Sequence, residues 1–265
     1  MSRVIIAGGQ NLAPALLRYL MADTSHEVVC AICRTDDTGE DAVFPSLIKV
    51  ARSFDIPYIR PESIASPKCA EKIIKYGADI IISAMYDQIL KKRLIDQFGR
   101  RLGIINIHYA PLPRYSGFWP EMWAIWNNEK THGVTIHYIS EGVDAGEIIA
   151  QSLFGIDKRE TRKSLYLKCD TAAIGLFKKF SPIFLKKKIK GRPQKQEEKT
   201  YFKRELPNKG FIDPSWDYQT IERFIRATTF HPFVGAKFRI GSNVFSVVGR
   251  DIKFFKPYTL TQEKK

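Results

Sequence analysis

Acidic residues are scarce in this chain. Aspartate and glutamate number 28 against 42 lysines and arginines in 265 residues, a formal net charge of +14. Such an excess favours an anionic partner, whether a nucleotide, a nucleic acid or an acidic membrane. Cysteine is scarce too: Cys30, Cys33, Cys69 and Cys169 are scattered, which excludes a disulfide framework and points to a reducing, cytoplasmic setting. Cys30-x-x-Cys33 lies in the apolar run Val28–Cys33 and has no second pair, so it reads as two small buried hydrophobes rather than a zinc or redox motif. The five histidines are dispersed, no metal site is expected, and His137 is expected to pack on its strand. No apolar run is long enough to cross a bilayer. Met1-Ser2-Arg3 leads directly into a strand with no signal peptide, and no membrane partner is expected. Gly8-Gly9 follows that strand without the full glycine fingerprint of a dinucleotide site, so NAD is not proposed.

What the chain does contain is an alternation of apolar strands and helices. Strands are expected at Val4–Ala7, Glu27–Arg34 and Asp79–Met85, and helices at Pro14–Met21, Pro45–Phe54 and Ser66–Tyr76, the last starting at a Ser N-cap with Pro67 in its first turn. The alternation predicts an α/β fold: a Rossmann-like, mostly parallel sheet with helices on both faces. A hydrophobic content of 44% is enough for a substantial core. The expected division is a large domain over 1–195 and a small C-terminal α+β domain over 196–265. The small domain should hold a helix at Asp217–Thr228 and strand-like runs at Lys237–Ile240, Val244–Val248 and Ile252–Phe255. Trp119, Trp123 and Trp126 share a helical face and read as core packing. Thr161–Leu185 reads as one long helix. From Lys178 to Arg204 there are eleven Lys or Arg and only two Glu, which reads mainly as a solvated linker.

Gly103–Gln151 carries the chemistry. Ile104–His108 reads as a buried strand. Asn106 and His108 are two apart and therefore point to the same side. Pro111 and Pro113 then end regular structure. Ligands of open α/β sheets bind beyond the carboxyl ends of the strands, so an amide beside an imidazole there suggests a site, although both could simply satisfy the following turn. Asp144, between Gly142 and Gly146 after the apolar strand Val134–Ile139, shifts the balance. A carboxylate on such a loop can fold back to orient an imidazole or accept a proton.

Asn106-x-His108, Leu112-Pro113-Arg114-Tyr115-x-Gly117, Gly133-Val134-Thr135-x-His137 and Asp144-x-Gly146-x-Ile148, in this order, resemble the catalytic domain of the 10-formyltetrahydrofolate-dependent formyltransferases. That family includes methionyl-tRNA formyltransferase, glycinamide ribonucleotide formyltransferase and the sugar-nucleotide N-formyltransferases. Four motifs in register make the resemblance specific. It implies 10-formyltetrahydrofolate as cosubstrate and Asn106, His108 and Asp144 as catalytic residues. It implies that the loop with Met85, Tyr86, Ile89 and Leu90, together with Tyr138, Ile139 and Gly142, holds the pterin ring. The family's proline after Ile-Leu is Lys91 here. Gly9, Gln10 and Asn11 are implied to lie near the acceptor amine, and Arg114, Tyr115, Lys203 and Arg204 near the rest of the acceptor. A second basic residue of the family's Pro-Arg-Tyr-Arg-Gly is Ser116 here.

Three acceptors compete. The transfer-RNA enzyme usually carries a basic insertion after the second strand and a large C-terminal barrel; here that loop holds Asp36, Asp37, Glu40 and Asp41, and the tail is short. The glycinamide ribonucleotide enzyme usually lacks the appended domain. Tyr201–Asp213 resembles a stretch of the members that act on nucleotide sugars. A nucleotide-linked amino sugar is therefore the expected substrate, with nucleic acid disfavoured, methionyl-tRNA formyl transfer the alternative, and a non-catalytic folate- or RNA-binding protein a third reading. The C-terminal strands leave a homodimer open.

Overall fold

The computed structural model describes residues 1–247 apart from Val234 and Ser242. These form two compact units. The first comprises 1–114, 133–152 and 169–199; the second comprises 115–132, 153–168 and the chain from Thr200 on. The sequence reading set a linear boundary near residue 195; the last segment of the second unit begins close by, joined by two earlier stretches.

The chain runs β1 (Ser2–Gly8), α1 (Leu12–Met21), β2 (His26–Cys33), α2 (Leu47–Ser53), β3 (Tyr58–Ile59), α3 (Pro67–Lys75), β4 (Ile80–Ala84), α4 (Lys92–Gly99) and β5 (Gly103–His108). It continues with β6 (Ser116–Gly117), α5 (Pro120–Trp126), β7 (Thr131–Tyr138), β8 (Ile148–Gly155) and α6 (Arg162–Phe184). Last come β9 (Tyr201–Phe202), α7 (Tyr218–Thr228), β10 (Lys237–Ile240) and β11 (Asn243–Ser246). One seven-stranded sheet has the order β3-β2-β1-β4-β5-β7-β8. Strands β3 to β5 pair in parallel, and β7 joins β5 antiparallel. The mostly parallel α/β sheet expected from the alternation is what forms. Every residue of β4 is buried, as a strand covered on both faces requires. The chain turns back between β1 and β4, and a crevice opens outside the strand ends at such a point.

Local chemistry fixes the helix starts. Ser66 Oγ accepts the Cys69 N–H at 3.2 Å with Pro67 in the first turn. At α2, Ser46 Oγ accepts from Lys49 N, and Asp37 adds a second cap: its carboxylate accepts Ser46 Oγ at 2.6 Å, Leu47 N at 2.9 Å and Ile48 N at 3.2 Å. A carboxylate at a helix N-terminus satisfies orphan donors and complements the dipole. The other acidic residues of this loop are also compensated: Asp36 pairs with Arg34 at 2.6 Å and Asp41 with Lys49 at 2.7 Å. Its exposed negative charge is therefore smaller than four carboxylates suggest.

In the second unit, β6 and β9 pair in parallel. Phe202 stacks on both Tyr115 (5.3 Å between centroids) and Trp123 (4.5 Å). Trp126 packs on Trp216 and Phe224. Trp119 caps α5 in a left-handed conformation with φ 54°, with the Arg162 guanidinium over its ring. The tryptophan stripe is thus packing, as its spacing suggested. Strands β10 and β11 fall on two of the three expected C-terminal runs; Val248 and Ile252–Phe255 lie outside the described residues.

Replacing Asp37 with Ala should lower the unfolding free energy by about 1–2 kcal/mol, while Glu40→Ala should change it by less than about 0.5 kcal/mol. Urea denaturation of the two variants measures the difference.

Candidate active site

In the first unit, the registers Gly8↔Ala84 and Ala84↔Ile107 bring β1, β4 and β5 to a common end. Three segments leave the sheet there: Gly9-Gln10-Asn11, Met85-Tyr86-Asp87 and His108-Tyr109. Gln10 (φ 53°) and Met85 (φ 58°) are left-handed, a conformation that costs a non-glycine residue about 1–2 kcal/mol. A Cβ on Gly8 would sit 1.8 Å from the Ala84 carbonyl oxygen, so only glycine permits this approach. Arg34 ties two of the segments: its side chain covers Gly9, it donates to the Met85 carbonyl at 3.4 Å, and it pairs with Asp87 at 3.3 Å.

Antiparallel pairing of β5 with β7 sets Asn106 opposite His137. This corrects the expectation that His137 merely packs on its strand. Its Nδ1 lies 2.8 Å from the Tyr138 carbonyl. A carbonyl only accepts, so Nδ1 carries the proton. Burial drives the His137 pKa down to about 4, with the His108 ring pushing the same way and Asp144 opposing. The neutral ring therefore offers Nε2 as an acceptor, and Asn106 Nδ2 lies 3.1 Å from it. Asn106 Oδ1 in turn accepts from Ser83 Oγ at 2.9 Å. The relay fixes which end of the Asn106 amide is nitrogen and leaves its second N–H for a ligand.

Asp144 completes the cluster. Its carboxylate lies 3.7 Å from His108 Nε2 and 3.6 Å from His137 Nε2, distances of electrostatic contact rather than of direct hydrogen bonds. Asp144 is left-handed (φ 48°). Gly146 passes so close to Tyr138 that a Cβ would meet its carbonyl oxygen at 1.8 Å. Gln194 pins the loop: its amide donates to the carbonyls of Asp144 and Gly146, both at 2.7 Å. Gln194 sits between Pro193 and Lys195 in the basic run that reads as linker, and nothing in the sequence marks it.

The other predicted positions fall as follows. The Tyr86 ring packs against the core cluster of the first unit. Its buried hydroxyl has no hydrogen-bond partner among the described residues, and burial raises its pKa, helped by Asp87. Leu90 lies in that core, whereas Ile89 is exposed. Gln88 anchors the loop to the Ile64 N–H and the Pro61 carbonyl. Tyr138 bonds through its hydroxyl to the Ile189 backbone. Ile139 donates its N–H to the Ile104 carbonyl at 2.7 Å, and Gly142 is exposed. Arg114 is exposed on the first unit. Tyr115 belongs to the second, where it is buried and its hydroxyl donates to Glu129 at 2.7 Å. Lys203 and Arg204 are exposed on the second unit, with the Arg204 guanidinium 5.9 Å from the Phe118 ring centroid.

An amide, two imidazoles and a carboxylate gathered at the switch point of an α/β sheet can stabilise an oxyanion and move a proton, the needs of acyl transfer. Residues 2–178 match the formyl transferase family, and the chain belongs to it; it is an enzyme of formyl transfer. It is 30% identical over 250 residues to the methionyl-tRNA formyltransferase of Geobacillus thermodenitrificans (strain NG80-2), covering 93% of this chain and 77% of that protein. Among solved structures it resembles WlaRD, a sugar 3N-formyl transferase crystallised in the presence of dTDP and 5-N-formyl-THF. Identity is 27% and the TM-score 0.73, over 92% of this chain and 85% of that one. It also resembles the N-formyltransferase of Helicobacter canadensis in complex with folinic acid and dTDP-3-aminofucose. Here identity is 25% and the TM-score 0.70, over 92% and 86% of the two chains.

The neutral state of His137 has a pH signature. An unfolded chain protonates this histidine below pH 6.5, the folded chain only near pH 4. The unfolded state therefore binds more protons between these values, and folding stability falls as pH drops through that window. The stability advantage of wild type over His137→Gln should shrink by about 2–3 kcal/mol between pH 7.5 and 4.5, as measured by paired urea titrations.

Proposed function

We propose that this enzyme moves the formyl group of 10-formyltetrahydrofolate to the amino group of a nucleotide-linked amino sugar, such as a dTDP-4-amino-4,6-dideoxy sugar, in the cytoplasm, for surface polysaccharides such as the O-antigen of lipopolysaccharide. The observation that carries the reading is the Asn106 amide, locked by a neutral imidazole with one N–H to give, beside the His108–Asp144 pair. The two sugar N-formyltransferase structures at 25% and 27% identity support the choice of acceptor.

Formyl transfer requires attack of an unprotonated amine on the formyl carbon, a tetrahedral intermediate and departure of the folate nitrogen. In this reading the Asn106 N–H and protonated His108 stabilise the oxyanion. Asp144 holds the charge of His108 and its carboxylate accepts the proton released by the amine, directly or through water. As the bond from the formyl carbon to the folate nitrogen breaks, that nitrogen takes up one proton from the His108–Asp144 pair, balancing the one the amine released; the amine attacks directly, so no covalent enzyme intermediate is required. The main chain of Met85–Leu90, with Tyr138, Ile139 and Gly142, is assigned to the pterin side. The turn Gly9–Asn11 is assigned to the amine, and Arg114, Tyr115, Lys203 and Arg204 to the remainder of the acceptor, where the cations suit a diphosphate.

The 30% identity to a methionyl-tRNA formyltransferase favours that second reading, and the charge compensation of the Asp36–Asp41 loop removes part of the repulsion that a phosphate backbone would meet there. The deciding assay supplies the purified enzyme with 10-formyltetrahydrofolate and either a panel of nucleotide-linked amino sugars or methionyl-tRNA. A mass gain of one formyl group on a sugar supports the proposal; formylation of the tRNA alone rejects it. With the accepted substrate, Asn106→Ala should lower kcat by about 10²–10³ while the far-UV circular dichroism and melting temperature stay near wild type.

A further inference from the structure

We propose that Asp170 is a positioning residue that makes the amine-side turn after β1 and the end of the catalytic strand β5 move as one body. Asp170 lies on α6, in the part that belongs to the first unit, and is 7% exposed. Its Oδ1 accepts the Tyr109 hydroxyl at 2.5 Å and its Oδ2 accepts the Asn11 amide at 2.8 Å. Asn11 closes the Gly9–Asn11 turn, and Tyr109 directly follows His108. Strand β4 lies between β1 and β5, so the two segments leave the sheet roughly 9–10 Å apart and share no ladder bonds. The Asp170 carboxylate joins a side chain from each of them.

The choice of residue is informative. A buried carboxylate is costly unless paired, and an apolar residue of similar size would pack there more cheaply. Among the described residues no cation forms an ion pair with Asp170; two neutral donors, one per oxygen, hold it. A carboxylate takes both bonds at once, one on each oxygen. Burial pushes its pKa up while the two donors restrain it. The neighbours Leu165, Cys169 and Ala173 on α6 are all fully buried, so the carboxylate stands in an otherwise apolar helix face.

The inference rests on the proposed role of the Gly9–Asn11 turn, and the test separates the two. Asp170→Ala removes both bonds. Asp170→Asn can keep both, because its oxygen accepts from Asn11 and its amino group donates to the Tyr109 hydroxyl oxygen. Hydrogen exchange followed by mass spectrometry, which needs no substrate, should show peptides covering residues 8–13 and 106–111 exchanging faster together in Asp170→Ala, at least fivefold. Both should stay within twofold of wild type in Asp170→Asn. Exchange unchanged in Asp170→Ala, faster in one segment only, or equally fast in Asp170→Asn overturns the tie. In steady-state assays with whichever acceptor the wild type turns over best, Asp170→Ala should raise the acceptor KM at least tenfold while the KM for 10-formyltetrahydrofolate stays within twofold. A general loss of folded enzyme would lower kcat and leave both constants alone. An unchanged acceptor KM beside coupled exchange would place the tie in the fold and remove the Gly9–Asn11 turn from the acceptor side. Failure of the wild type on every amino sugar would reject the proposed substrate and leave the exchange result to decide on Asp170.

Discussion

His137 stays neutral because it is buried, against the pull of Asp144 and of the main-chain carbonyl that holds its Nδ1 proton. From that one protonation state the orientation of the site follows. A charged ring would have no lone pair to offer, and Asn106 would turn its oxygen toward the imidazole and its nitrogen toward Ser83, reversing the donor that the site presents. The carbonyl comes from the residue next to His137 and the amide from the opposite strand, so the arrangement depends on the antiparallel register of β5 and β7. A slip of one residue would send His137 to the other face of the sheet. The buried neighbours of β7, Val134 and Ile136, oppose such a slip, so ordinary core packing protects the chemistry.

The backbone around the site is held by contacts that cross long sequence distances. Gln194 reaches the Asp144 loop across some fifty residues, Arg34 covers Gly9 and grips Met85, and Gln88 fastens its loop to the segment at Pro61–Ile64. These side chains replace the hydrogen bonds that irregular backbone lacks. They also hold Gln10, Met85 and Asp144 in left-handed conformations that none of the three residues would favour alone.

Much of this was legible in the sequence, and the reason lies in which signals are local. The isoleucine run of β4, the Ser66 cap and the two-residue spacing of Asn106 and His108 are properties of a short stretch, and the structure realises each of them. The motif order from Asn106 to Ile148 is likewise a property of one stretch of chain, and it resembles the family without any geometry. His137 was not legible as part of the site, because alternation says which face a side chain takes but not which residue stands across the ladder. Gln194 lay in a run whose lysines and arginines read as solvated chain; its partners are backbone carbonyls, which leave no trace in side-chain pattern. The acidic loop misled in the opposite sense, since Asp37 serves a helix end rather than the surface.

The second unit is assembled from three separate stretches, two of which are excursions that interrupt the run of chain forming the sheet unit. Its history is thus bound to that of the sheet. Homologous recombination at a single crossover near residue 200 would deliver the tail without the excursions it packs on, 115–132 under Phe202 and Trp216 and 153–168 under Phe230. Tail exchange between related enzymes would therefore yield mismatched aromatic cores.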